Sequence, residues 1–334
     1  MSFLTKIVPR SIKTSVSTFF RELGKLPLHL VFSHAKHMFV TTSKCDEKTK
    51  LKSTKSYIEK NKSYLYKRYG TLAKEYTKDY QAGENVFAPI WIFWWQGKDA
   101  MPELVRRCME SVQKNANKHK VVLIHKGNLS KYIQVPAFIQ EKVDRGIISL
   151  THFSDIVRMK LLADYGGIWL DATIFVSKKI EESYFQPPVF SVCNPGKDES
   201  NVSNWRWTVS VIGGNKNNTL FEATYLLLCE YWKTHDFVID YYIFDHFINM
   251  LYESSTEIKD CINAIRPNNQ DYYALQDVME QPWTQSLSDK IFNGETIFFK
   301  LSWKKDYGKK TDTGLQTVYD YWINMMGECR GSEN

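Results

Sequence analysis

Residues 153–173 read FSDIVRMKLLADYGGIWLDAT, and this stretch predicts a helix that leads directly into a strand. Ser154 suits the N-cap of that helix, and Asp155 then lies in the first turn, where the helix dipole favours a negative charge. Arg158 follows three residues later, so both charged groups share one face. Gly166 is placed to end the helix. The pattern is typical of an α/β sheet.

Asp171 is the unusual residue of the strand predicted over Gly167–Val176. Alternation places Trp169, Asp171 and Thr173 on one face of this otherwise apolar segment. Burying an unpaired carboxylate costs several kcal/mol, so Asp171 needs a metal ion or a cationic ligand, or else it is satisfied by backbone or Arg158. Open α/β sheets bind ligands beyond the carboxyl ends of their strands. For Asp155 and Arg158 the alternative is a helix-start charge with a surface ion pair.

The alternation of strands and helices begins at Val86 and gives way to helices after Gly214. The sequence predicts strands at Ile90–Trp95, Lys120–His125, Ile147–His152, Gly167–Val176, Val189–Cys193, Trp207–Ile212 and Thr296–Trp303. It predicts helices at Pro102–Ala116, Ala137–Arg145, Thr219–Thr234, Asp240–Ser254 and near Leu315–Met326.

Charge is distributed unevenly along the 334 residues. The formal net charge is +7, yet residues 1–80 hold 17 Lys and Arg against 6 Asp and Glu, which leaves the remainder mildly acidic. We therefore predict a basic helical extension over 1–82 and a main domain over 83–334. The extension has two interpretations, a helix lying on an anionic membrane surface or a helical hairpin packed on the main domain. The acidic body and the absence of a recognised motif argue against nucleic acid.

The six cysteines lie far apart, without a C-x-x-C pair, and predict neither a zinc site nor disulfides. No apolar run reaches the length of a membrane span, and the N-terminus does not read as a signal peptide. These features predict a cytoplasmic protein.

The motif Ser154-Asp155-x-x-Arg158, followed by Gly166-Gly167-x-Trp169-x-Asp171-x-Thr173, resembles the signature of glycosyltransferase family 32. Together with residues 91–97 (WIFWWQG), it resembles the bacterial capsular polysaccharide synthesis branch of that family, over roughly residues 90–303. The resemblance implies a Rossmann-like fold of the glycosyltransferase A type, with a mostly helical extension and C-terminal part. The donor half would span about 86–214, and the acceptor and lid half about 215–334.

The same resemblance implies roles for individual residues in binding a UDP-sugar. Asp155 would hold the ribose, with Ser154 beside it, and Arg158 would help to fix the sugar. The implied uracil platform is Trp95, followed by Gln96, and Trp169 would line the donor site. The segment Lys300-Leu-Ser302-Trp303-Lys304 resembles a loop that closes over the diphosphate. Asp245 and His246 lie on a predicted helix on the acceptor side, although helix-surface polar residues are also common.

The metal motif departs from the usual Asp-x-Asp, because Thr173 stands where the second carboxylate is expected. A hard dication can combine one carboxylate with water and diphosphate oxygens, so Mn²⁺ or Mg²⁺ held by Asp171 is still expected. Arg158 and Asp171 are then the predicted catalytic residues.

The resulting hypothesis is a retaining enzyme that transfers a hexose, galactose or glucose, from a UDP-sugar to a lipid-linked oligosaccharide in capsule or exopolysaccharide assembly. It would work peripherally on the inner face of the cell membrane. The alternative is a catalytically inactive protein that binds a nucleotide sugar or a carbohydrate, for which the missing second aspartate is the evidence.

Overall fold

Seven short strands form two sheets in the computed structural model, which describes residues 9–194 and 200–328. In chain order the strands are β1 (Ile90–Phe93), β2 (Val121–Ile124), β3 (Gly167–Leu170), β4 (Ile174–Val176), β5 (Val189–Ser191), β6 (Val211–Gly214) and β7 (Phe298–Lys300). The central sheet has the order β2-β1-β3-β6-β5, while β4 and β7 pair antiparallel in a small second sheet.

The helices surround these sheets and also make up most of the N-terminal region. They are α1 (Arg10–Glu22), α2 (Leu28–Thr42), α3 (Glu47–Thr77), α4 (Glu103–Asn115), α5 (Ala137–Asp144), α6 (Leu150–Tyr165), α7 (Thr219–Thr234), α8 (Ile243–Ser254), α9 (Thr256–Asn263), α10 (Ala274–Val278), α11 (Gln285–Phe292) and α12 (Val318–Glu328). None of the helices in the described part of the chain has the length and apolar character that crossing a bilayer requires.

The strand directions decide where a ligand site can form. β1 is parallel to both β2 and β3, with Trp91 paired to Trp169, whereas β6 is antiparallel to β3. The carboxyl ends of β1 and β3 therefore meet at one edge of the sheet, the edge at which α/β proteins bind their ligands. The fold is mixed α/β, as predicted.

The start of β3 depends on two glycines. Gly166 and Gly167 have φ of 68° and 95°, conformations that L side chains rarely adopt. A Cβ at Gly167 would lie 2.1 Å from the carbonyl oxygen of Pro89. These glycines allow α6 to turn sharply into β3 and allow β3 to lie against the chain that enters β1.

The predicted strand Ile147–His152 is wrong. Ser149 is the N-cap of α6, and its side chain accepts a hydrogen bond from the backbone N–H of His152. Helix α6 thus begins before Ser154 and places both Ser154 and Asp155 beyond its first turn. Serines at both positions satisfy the same local capping rule, so the local sequence does not decide between them.

The predicted strand Gly167–Val176 is divided into β3 and β4. The chain turns at Asp171, whose carbonyl oxygen accepts a hydrogen bond of 2.9 Å from the N–H of Ile174. Predicted strands near Trp207 and Trp303 are likewise shorter than expected: β6 starts only at Val211, and β7 ends at Lys300. The turn between β3 and β4 places Asp171 at the edge of the sheet.

The N-terminal helices share a core with the main domain. Helix α3 packs against α7 and α8, and Leu65 and Tyr69 are buried in the same apolar cluster as Phe247. Lys62 on α3 forms an ion pair of 2.7 Å with Glu253 on α8. For α3, the structure agrees with the second interpretation of the extension, in which its helices pack on the main domain.

Candidate active site

A cavity of about 450 Å³ opens at the edge of the sheet where β1 and β3 end. Its walls come from the ends of β1, β3 and β7 and the segments that follow them, from α6, and from residues just before α8 and around α10. The lining residues are Phe93, Trp94, Trp95, Gln96, Leu150, Thr151, Ser154, Arg158, Trp169, Asp171, Ala172, Thr173, Tyr241, Tyr273, Gln276 and the segment 300–304. The structure thus brings together most of the residues predicted to bind the donor.

Asp171 accepts hydrogen bonds from two cationic side chains that line this cavity with it. Its Oδ1 accepts hydrogen bonds from Arg158 (3.1 Å) and from the indole Nε1 of Trp169 (2.9 Å). Its Oδ2 accepts one from the Lys300 Nζ at 2.6 Å. The interpretation in which Arg158 satisfies Asp171 therefore holds, with Lys300 as a second partner. The side chain is still 28% exposed, so the carboxylate faces the cavity.

The charge state of Asp171 follows from these contacts. Burial by itself would raise the pKa of this carboxyl, but the Lys300 ammonium and the Arg158 guanidinium outweigh burial and hold the pKa below its usual value. Asp171 is therefore ionised at neutral pH.

Arg158 is almost completely buried, with 3% exposure, and stands between two carboxylates. Its NH1 lies 3.1 Å from Asp155 and its NH2 3.1 Å from Asp171, while its guanidinium packs over the Trp169 and Phe244 rings. Within the described residues, its Nε and NH1 have no well-aligned hydrogen-bond acceptor. Both atoms are buried and NH1 faces Asp155, whereas NH2 contacts Asp171 in the cavity lining.

Asp155 lies behind Arg158 and is not part of the cavity lining. It is buried and also lies 3.6 Å from the His152 ring, so the alternative of a surface ion pair is wrong. The ribose-binding role of Asp155 stays a prediction. Ser154 does line the cavity, and its hydroxyl donates to the carbonyl of Thr151.

Trp95 and Trp303 supply aromatic surfaces to the lining of the cavity. Trp95 is half-buried, packs against Phe93 and meets Phe153 edge-on at 5.4 Å between ring centroids. Trp303 is 45% exposed and contacts the Trp94 ring edge-on at 5.6 Å. The pairing of β4 with β7, extended by a hydrogen bond from the Leu301 N–H to the Thr173 carbonyl, brings this segment beside Asp171.

Asp245 and His246 lie in the interior of the protein, outside the cavity lining. Asp245 accepts a hydrogen bond of 2.9 Å from the indole of Trp207, and His246 contacts Asp240 at 2.9 Å. Their acceptor role stays a prediction. Burial raises the pKa of Asp245 to about 7, with the nearby Asp155 adding to the rise.

Asp245 should make the stability of the protein depend on pH. An unfolded aspartate titrates near 3.8, so between there and about pH 7 the folded state binds more protons, and stability falls as the pH rises. Asp245→Asn keeps an acceptor for Trp207 and removes this titration. We expect the variant's melting temperature, relative to wild type, to be higher at about pH 7 than at about pH 5, equivalent to at most about 1.4 kcal/mol per pH unit.

Asp289→Asn, an exposed carboxylate on α11, is the matched control and should show no such trend. A difference between Asp245→Asn and wild type that stays constant across this pH range would show that Asp245 is ionised in the folded protein.

Tyr241, Tyr273 and Gln276 line the cavity, although none of them was predicted to bind the donor. Tyr241 is 60% exposed and precedes α8. These residues come from segments far along the chain, and a tyrosine in a polar loop carries no local signal that it reaches a site formed elsewhere.

Comparison with known proteins places the chain in a family. A family model described as "Capsular polysaccharide synthesis protein" matches residues 40–322, a longer region than the predicted resemblance. No curated protein sequence matches the chain. Among solved structures, "PaToxG Glycosyltransferase" is similar over 70% of this chain and 94% of that chain, with 16% identity and a TM-score of 0.39. Glycosyltransferase family 32 and the A-type fold stay predictions. Since the family model covers most of its length, the chain belongs to the capsular polysaccharide synthesis protein family.

Proposed function

We propose that the chain is a retaining glycosyltransferase that moves a hexose, galactose or glucose, from a UDP-sugar to a lipid-linked oligosaccharide. Its product would be part of a capsular or exopolysaccharide repeat unit, in keeping with the family to which the chain belongs. The observation that carries the proposal is one cavity that joins an aromatic wall to an excess of cationic side chains.

The cationic side of the cavity suits a diphosphate. Arg158, Lys300 and Lys304 line it, whereas Asp171 is the one carboxylate among the described lining residues. The cavity therefore carries net positive charge. Preorganised cations of this kind stabilise the negative charge that develops on a departing nucleoside diphosphate.

The aromatic side suits the base. Trp95 has one part of its ring against Phe93 and Phe153, and another part in the cavity wall. A planar base can stack on such a ring, and stacking contributes about 1–3 kcal/mol per base. Arg158 and Lys300 are then within the same cavity for the phosphates.

The residues at Asp171 fit a dication that is bound jointly with the substrate. Mg²⁺ typically uses one or two carboxylates and completes its coordination with phosphate oxygens and water. Asp171 supplies one partly exposed carboxylate and Thr173 a hydroxyl in the lining, and the described residues contain no cluster of three His, Cys, Asp or Glu. Asp171 would hold the ion, and its carboxylate would then be shared between the ion and Lys300. A dication bound there would supply positive charge to the leaving diphosphate.

In the proposed reaction, the bond between the anomeric carbon and the diphosphate oxygen breaks, and the acceptor oxygen bonds to the same carbon. The acceptor's proton passes to the departing diphosphate, so the balance is complete. Retention rests on the family resemblance. Because the described lining carboxylate, Asp171, is already held by Arg158 and Lys300, retention would proceed by attack on the face that the diphosphate leaves, without a covalent intermediate on Asp171.

The acceptor would approach from the side of Tyr241 and Trp303, both strongly exposed at the cavity. Exposed aromatic rings suit the apolar faces of sugars. Asp245 lies behind this side and would act on the acceptor only through its neighbours, because it is buried.

Trp95→Ala tests the nucleotide part of the proposal. We expect the variant to bind UDP more weakly by about 1–3 kcal/mol, because the stacking surface is lost. UDP-galactose and UDP-glucose should lose the same amount of binding free energy. Isothermal titration calorimetry with UDP measures this directly. Phe87→Ala, which removes an exposed ring outside the cavity, is the matched control. Equal UDP affinity in Trp95→Ala and wild type would contradict the proposed base site.

Turnover separates the enzyme from an inactive binding protein. The absence of a second carboxylate beside Asp171 is the observation that favours the inactive form. UDP release from UDP-glucose or UDP-galactose, measured with Mn²⁺ and with EDTA, should be metal-stimulated in an active enzyme. Tight UDP binding without turnover under either condition would support the binding protein.

A further inference from the structure

Helices α1 and α2 carry a continuous apolar surface that is not covered by the rest of the described chain. Half of the strongly exposed large apolar side chains in the described residues lie here. We call them the apolar stripe: Ile12, Val16 and Phe20 on α1, Leu23 at its C-terminal end, and Leu28, Phe32 and Phe39 on α2. Phe19 links the two helices, with its ring centroid 5.6 Å from that of Phe20 and 5.2 Å from that of Phe32.

The orientation of α1 is the reverse of that expected for a helix on a water-soluble protein. Its buried residues are Ser11, Thr18 and Glu22, whereas Phe20 is 68% exposed and Val16 48%. Surface helices normally turn their apolar face to the core and their polar face to water. An apolar face that is turned outward in this way indicates a partner or a medium that covers it.

Specific polar contacts fix this orientation. The Glu22 carboxylate contacts the His34 ring at 2.7 Å, His34 contacts Asn61 at 2.7 Å, and Asn61 donates to Asp240 at 3.2 Å. Ser15 also donates to the carbonyl of Ala35 at 2.7 Å. Rotating α1 to bury its apolar face would separate Glu22 from His34 and Ser15 from Ala35, and losing such contacts is costly for buried polar groups.

Charge identifies the kind of surface that the apolar stripe fits. The exposed charged side chains of residues 9–43 are all basic, and the single acidic residue, Glu22, is buried. The basic residues are Arg10, Lys13, Arg21, Lys25 and Lys36. Two copies of such a surface would repel each other. An anionic lipid surface instead offers apolar acyl chains and negative headgroups together.

We propose that the α1–α2 hairpin lies in the surface of an anionic bilayer, with the apolar stripe inserted among the lipids and the basic side chains at the headgroups. Interfacial helices insert their apolar face to a depth of about 5–10 Å. The inference deepens the proposed function, because a lipid-linked acceptor would lie in the same surface, but lipid binding does not depend on catalysis. Compared with the membrane-surface interpretation of residues 1–82, this anchor is confined to α1–α2 and depends on apolar insertion as well as on charge.

Flotation of the full chain with vesicles tests the proposal. The vesicles contain phosphatidylcholine alone or phosphatidylcholine with phosphatidylglycerol at about 3:1, a composition that supplies anionic headgroups. We expect the wild type to float with anionic vesicles and to stay partly bound in high salt. The triple variant Val16→Ser, Phe20→Ser, Phe32→Ser should bind at least about tenfold more weakly in low salt. Phe87→Ser, another exposed apolar residue, is the matched control and should bind like wild type.

A second pair of changes tests the charges separately. Lys25→Gln with Lys36→Gln should weaken anionic binding and lower its salt dependence, while neither set of changes should alter UDP affinity measured by calorimetry. That last measurement separates failure of the membrane proposal from failure of the proposed function. If the triple variant does not fold, the single variants Phe20→Ser and Phe32→Ser, each with an unchanged melting temperature, serve in its place.

Two results would overturn the proposal. One is anionic vesicle binding by a folded apolar-stripe variant equal to that of wild type. The other is a lipid-free wild-type dimer in sedimentation analysis that the Phe20→Ser change dissociates, because a second copy would then cover the apolar stripe.

Discussion

Asp171→Asn is expected to lower kcat for UDP-sugar turnover by about a thousandfold, equivalent to about 4 kcal/mol in the activation barrier. The change keeps the side-chain volume and an acceptor for the Trp169 indole, but it removes the charge that holds Lys300 and Arg158 in place. It also removes the carboxylate proposed to hold a dication. Steady-state assays of UDP release with saturating Mn²⁺ measure the effect.

In contrast to kcat, the UDP affinity of the same variant should not fall when metal is absent. Without the negative charge of Asp171, Lys300 and Arg158 are free to attract phosphate, so UDP affinity in the absence of metal should be unchanged or higher. Addition of Mn²⁺ should then no longer improve UDP binding. Asp164→Asn, which breaks an ion pair with Lys160 on the same helix away from the cavity, is the matched control. More than about a tenth of wild-type kcat in Asp171→Asn would contradict the assignment.

The local part of the site was predictable from the sequence because it depends on short-range rules. Gly166 and Gly167 require a sharp turn between a helix and a strand, and alternation then brings Trp169 and Asp171 together. In the structure the Trp169 indole donates to Asp171 at 2.9 Å, although Asp171 lies in the turn that follows β3. The predicted N-cap, Ser154, was wrong although it rests on the same kind of local rule, since Ser149 and Ser154 both suit an N-cap and only tertiary packing distinguishes them.

The partners that are distant in sequence were only partly predictable. Lys300 reaches Asp171 from 129 residues further along the chain, and it was identified by family resemblance rather than by any local rule. The two interpretations of the extension likewise left open the direction of the apolar face of α1. Its amphipathic pattern is visible in the sequence, but its orientation depends on Glu22, His34, Asn61 and Asp240, which come from four separate segments.

Arg158→Met is expected to destabilise the fold by about 3–5 kcal/mol, because it leaves Asp155 buried without its cation. Urea unfolding at neutral pH measures the loss. The double variant Arg158→Met with Asp155→Asn removes both charges of that pair, so it should recover much of the stability, while UDP binding stays weak because the guanidinium that lines the cavity is still absent. Asp155→Asn alone is the remaining arm of this double-mutant cycle. If the double variant is as unstable as the sum of the two single variants, Asp155 and Arg158 are not coupled, and the buried ion pair does not explain why Arg158 stabilises the fold. If the double variant instead regains both stability and wild-type UDP affinity, Arg158 serves only to neutralise Asp155 and is not a ligand of the diphosphate.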